Sequence, residues 1–190
     1  MKRFVFLLMI LLLVLSAFSA PSAADRPPRP GELFPDLDLP MPKNAAEKTY
    51  LGLTGEGSFS LGQVKAQVVI LEIFSMYCPY CQKEAPQVNE LFRAIETNPD
   101  SKGKIKVLGI GAGNSPFEVG MFKKTYAIPF PLIADEDLIF HHALGGVRTP
   151  YFLAVVIEKD KTARVIFSEL GSMSGAKSFL KKIIELAGLK

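Results

Sequence analysis

The 190-residue chain has no tryptophan, only two histidines and only two cysteines, Cys78 and Cys81. A single CxxC pair could supply half of a structural zinc site, but no second pair exists to complete one. The histidines, His141 and His142, are adjacent and cannot easily aim at one ion, so they read as the end of a surface helix, and no metal is expected. Excess charge is missing too. Without Lys2 and Arg3 the chain holds 20 basic and 19 acidic residues, a balance that gives no electrostatic footprint for nucleic acid. Repeats and low-complexity segments are absent outside one proline-rich stretch. What is abundant is hydrophobic residues, 48% of the chain, enough for one globular domain with a sizeable core.

No acidic residue occurs in residues 1–24, which read Lys2 and Arg3, an apolar run from Phe4 to Leu15, then small residues. This is the three-part form of a secretory signal peptide, and the run is short for a membrane span. Pro21 disfavours a cut after Ala20, so cleavage is expected after Ala24; the alternative is an uncleaved anchor, with the apolar stretch extended to Ala20. With no cysteine near the site, a lipid has no acceptor there. Both alternatives put the rest of the chain outside the cytoplasm, where a disulfide can persist. Residues 25–42 hold six prolines and suit an extended linker, with Phe34, Leu37 and Leu39 docking on a domain over 43–190.

The chemistry centres on Val68–Cys81. Val68 to Phe74 is almost continuously apolar and β-branched, which predicts a strand buried on both faces. Val88, Leu91, Phe92 and Ile95 follow at helical spacing, so a helix starts near Pro79. Cys78 therefore sits at a strand end and a helix N-terminus, where unpaired N–H groups and the helix dipole favour a thiolate. Cys81, three residues on, is close enough to form a disulfide with it.

The CPYC run, Pro86 in the active-site helix, Thr149–Pro150 before a strand and the order of elements resemble the thioredoxin superfamily, in particular its extracytoplasmic TlpA/ResA-type branch. Tyr77 stands where that branch usually has tryptophan, and CPYC is better known from glutaredoxins. The fold class expected is α/β, a thioredoxin-like central mixed sheet flanked by helices, with an N-terminal hairpin and a central β-α insert. The hairpin is expected from Tyr50, Leu51 and Leu53 before Gly55 and Gly57, with Phe59 and Leu61 beyond. The insert is expected from the strand Ile105–Ile110 and a helix opened by Ser115, Pro116 and Glu118, whose apolar face would be Phe117, Met121, Phe122 and Tyr126. A short strand Leu132–Ala134, a brief helix Asp137–Leu144, antiparallel strands Tyr151–Ile157 and Ala163–Phe167, and a last helix Ser174–Leu186 complete the order.

Glu72 is the only charge in the strand leading to Cys78. A buried carboxyl there could take the Cys81 proton, and by resemblance it occupies the family's buried Asp or Glu position; an edge-facing or lysine-paired glutamate is the alternative. Pro79 and Tyr80 are expected to tune the redox poise. The resemblance implies a cis peptide at Thr149–Pro150, leaving the Thr149 backbone to pair with an extended substrate, and for Pro86 only a bend. The function implied is an extracytoplasmic thiol-disulfide oxidoreductase, a monomer without cofactor, acting on protein thiols and disulfides, with a membrane electron donor or acceptor. Two alternatives are weighed. In a peroxiredoxin-like peroxidase, Ser75 would precede Cys78 in the place of that family's threonine, although Leu71 stands where its proline should be; a copper-delivery module would use both cysteines and a histidine.

Overall fold

In the computed structural model, residues 26–189 are described, so the expected signal segment lies outside the described residues. In chain order the elements are β1 (Leu39–Pro40), α1 (Ala45–Leu51), β2 (Ser58–Phe59), β3 (Val68–Phe74), α2 (Pro79–Thr97), β4 (Ile105–Ala112), α3 (Pro116–Thr125), β5 (Leu132–Asp135), α4 (Ile139–Ala143), β6 (Tyr151–Ile157), β7 (Ala163–Leu170) and α5 (Ala176–Ala187).

All seven residues of β3 are buried, as a strand covered on both faces must be. It lies at the centre of a five-stranded sheet ordered β5-β4-β3-β6-β7. β3, β4 and β5 run parallel, while β6 is antiparallel to β3 and to β7, which makes the sheet mixed. Alternate β3 residues separate two apolar layers. Val69, Leu71 and Ile73 face the N-terminal region and α4, whereas Val68, Ile70 and Phe74 pack against α2 and α5 through Val88, Leu91, Phe179 and Ile183.

Two expectations are corrected. Tyr50 and Leu51 are helical, not a hairpin strand: Asn44 caps Ala46 N–H at 2.8 Å, the helix formers Ala45 to Lys48 follow, and Gly52 closes α1 in the left-handed conformation. The antiparallel pair at this end joins β1 to β2 instead, Leu39 opposite Phe59. In α3 the capping box forms as expected, but its buried residues are Val119 and Phe122, while Phe117 is 76% exposed and Met121 is also exposed. Residues 31–34 of the proline-rich stretch lie along β7. Gly31 N–H donates to the Val165 carbonyl (2.8 Å), Val165 N–H to that of Glu32 (2.9 Å) and Phe34 N–H to that of Ala163 (2.7 Å).

Candidate active site

At the end of β3, Ser75–Tyr77 bridge to α2, and Cys78 occupies the N-cap of that helix in an extended conformation (φ −83°, ψ 114°), with Pro79 at the first helical position. Cys78 N–H donates to the Ser75 carbonyl (3.0 Å), closing a turn in which Cys78 stays partly accessible. Cys81 lies one turn further along α2 and is 0% exposed, among Phe74, Ala85 and Val88. Both thiols are free.

The two sulfurs have unlike environments. Partial burial opposes ionisation of Cys78, but hydrogen bonds from the Thr149 side chain and from the Cys81 and Tyr80 backbones outweigh it, so its pKa is lowered. The Cys78 thiol also reaches the Thr149 carbonyl at 3.3 Å, across a cis Thr149–Pro150 peptide bond. For Cys81 burial wins, and the pKa is pushed up to about 12 despite a favourable bond from the Ser75 backbone. Cys78 therefore ionises more readily than Cys81.

Glu72 projects into the same layer as Cys81, is 2% exposed, and its Oε1 has no hydrogen-bond partner. Burial, then the charges of Glu84 and Cys78, raise its pKa to about 8. It stands in the central strand, opposite Gly109 on one side and Phe152 on the other, so the edge-facing alternative does not hold. Between the cysteines, Pro79 and Tyr80 (70% exposed) lie in solvent.

Glu84 is a site residue that sequence reasoning missed. It is buried on α2, and its Oε1 accepts the Met173 N–H at 2.8 Å. Its spacing, three residues after Cys81 and four before Val88, was the available signal, because those positions share the helix face that meets the sheet. Asn114 was missed as well. Its Oδ1 accepts Met76 N–H at 2.8 Å and its Nδ2 reaches Ser75 Oγ at 3.4 Å. His141 is not a free surface histidine; its Nε2 pairs with the Val147 carbonyl (2.8 Å), two residues before Thr149. Among the described residues no group of three or more Cys, His, Asp or Glu is placed to hold a metal ion.

The sequence profile of the AhpC/TSA family matches residues 30–167. Proteins named thiol-disulfide oxidoreductase ResA from Bacillus thuringiensis (strain Al Hakam) and Bacillus anthracis are each 26% identical over 146 residues, covering 74% of this chain and 77% of theirs. Among solved structures, StoA from Bacillus subtilis superposes with TM-score 0.53 at 21% identity, over 67% of this chain and 90% of that one. The thioredoxin domain of a thiol-disulfide oxidoreductase from Bacteroides vulgatus superposes with TM-score 0.61 at 14% identity, over 82% and 98%. The two structures share the thioredoxin-like fold with this chain.

Proposed function

The chain belongs to the AhpC/TSA family, and on that premise we propose that it is an extracytoplasmic thiol-disulfide oxidoreductase whose Cys78–Cys81 pair reduces disulfides of exported proteins. The observation that carries this reading is the asymmetry of the pair. A partly accessible Cys78 with a lowered pKa stands one helical turn from a buried Cys81 whose pKa is about 12.

The Cys78 thiolate attacks one sulfur of a substrate disulfide, and the other sulfur leaves as a thiolate. A mixed disulfide now joins Cys78 to substrate. With the Cys78 charge gone, one of the influences raising Glu72 disappears, which favours its carboxylate. Glu72 takes the Cys81 proton, the Cys81 thiolate attacks the Cys78 sulfur, and the second substrate thiolate departs. Two electrons have passed to the substrate, and the protein is left with a Cys78–Cys81 disulfide. A thiol donor on the same side of the membrane restores the dithiol by the reverse exchange. Thr149, whose carbonyl lies beside the Cys78 sulfur, offers backbone to an extended substrate segment, while Pro150 keeps a side chain out of the approach.

The relatives named ResA and the buried resolving thiol support this reading over a peroxidase. The test is the midpoint potential of the couple, by thiol trapping of residues 25–190 in graded redox buffers. A value near or below about −220 mV is expected for a reductant; one above about −150 mV would overturn the reducing direction. A protein that never forms the Cys78–Cys81 bond would overturn the whole reading.

A further inference from the structure

β3 and β4 are parallel and in register, Phe74 beside Gly111, so the segments that follow them emerge together at one end of the sheet. Ser75 and Asn114 meet there although 39 residues separate them. Asn114 is 0% exposed, its backbone N–H donates to the Gly111 carbonyl (3.1 Å), and its amide faces the cysteine turn. A Cβ on Gly111 would fall 3.3 Å from the Asn114 Cβ and 2.8 Å from Val119 Cγ2, so the bare glycine is what lets Asn114 come so close.

The amide uses both of its ends. Oδ1 accepts Met76 N–H and Nδ2 reaches Ser75 Oγ, two partners that leucine or alanine could not serve. The Ser75–Met76 segment in turn touches both cysteines: the Ser75 carbonyl accepts Cys78 N–H, and the Ser75 backbone hydrogen-bonds the Cys81 sulfur. From the helix side, Gln82 Nε2 donates to the Met76 carbonyl (2.8 Å). The segment is thus gripped between α2 and the insert.

We propose that Asn114 is a positioning residue that sets the dithiol–disulfide equilibrium of Cys78 and Cys81 by holding the Ser75–Met76 segment against the Cys78 backbone and the Cys81 sulfur. This rests on the oxidoreductase reading. The contact between Ser75 and the Cys81 sulfur belongs to the reduced form seen here, so loosening the segment destabilises the dithiol more than the disulfide. Asn114→Ala therefore shifts the equilibrium constant with glutathione about tenfold toward the disulfide, equivalent to about 30 mV for this two-electron couple.

The test is that constant in the full chain, read by thiol trapping, together with urea unfolding of the oxidised and reduced forms. A shift of threefold or more toward the disulfide, with a larger stability loss in the reduced form, supports the proposal. A smaller or opposite shift, or equal losses in both forms, overturns it, because a merely structural residue supports both forms alike. If Asn114→Ala does not fold, Ser75→Ala removes only the hydroxyl end of the contact; at least a twofold shift in the same direction is then expected, and no shift overturns the proposal. A wild-type chain that does not exchange with glutathione at all fails the oxidoreductase reading instead, a distinct result.

Discussion

Glu72 carries the most perturbed carboxyl among the residues around the cysteines, and its effect on stability has a definite sign. Its pKa is about 8 in the fold, chiefly through burial, against 4.5 as the ordinary value. Between those values the folded chain binds more protons here than the unfolded one, so this group makes stability fall as pH rises through the window. Below pH 4.5 the penalty is absent, and above about 8 it is complete. Glu72→Gln should remove a slope of about 1.4 kcal/mol per pH unit across pH 5–8. Urea unfolding of reduced wild type and variant at several pH values measures the difference, and parallel pH profiles would sink the assignment. The cysteines give a second residue-scale prediction. In Cys81→Ser, iodoacetamide should label Cys78 with a half-maximal rate below pH 9, the ordinary value from which its pKa is lowered. In native Cys78→Ser, the buried Cys81 should stay unlabelled over the same range; equal labelling of the two would contradict the asymmetry.

At the level of elements, what could be read in advance depended on whether local chemistry or tertiary contact decides. Ser115, Pro116 and Glu118 open α3 as their types dictate. Ser115 N–H donates to Glu118 Oε2 at 2.7 Å, and the Ser115 hydroxyl accepts Glu118 N–H at 3.4 Å. Ser115→Ala should lower stability by about 1 kcal/mol in urea unfolding, and a loss under about 0.3 kcal/mol would mean that the box contributes little. The start of α2 at Pro79 was legible for the same kind of reason, a proline at the first helical position next to a cap. The apolar stripe of α3 was not. Phe117 and Met121 have the right spacing but face solvent, while Val119 and Phe122 turn inward. Tyr50 misled because aromatic and apolar residues before glycines suit a strand as well as a helix; the Asn44 cap and the left-handed Gly52 decided it. Glu84 and Asn114 were obscure for another reason: their roles come from partners 89 and 38 or more residues away, which no local pattern encodes.

At the scale of the whole molecule, the sheet has two edges, and they are protected differently. β5 is only four residues long, while β7 has eight and would present a long ladder of unpaired groups. Residues 31–34 cover part of that edge through the Gly31, Glu32 and Phe34 backbone bonds, and Arg164 Nη1 adds a bond to the Gly31 carbonyl at 3.0 Å. Phe34 anchors this cover, its side chain buried with Leu61, Val165 and Ala163 in the layer opposite the cysteines. Truncating it removes the anchor while leaving every strand of the sheet intact. Phe34→Ala should therefore cost about 3 kcal/mol in urea unfolding and, by freeing the edge, promote concentration-dependent self-association in sedimentation velocity. The couple's midpoint potential should not move, because Cys78 and Cys81 pack in the other layer. A variant that loses stability but self-associates no more than wild type would leave Phe34 as a core residue and remove the edge-protection role; one whose potential shifts would mean that the two faces of the sheet are coupled through β3.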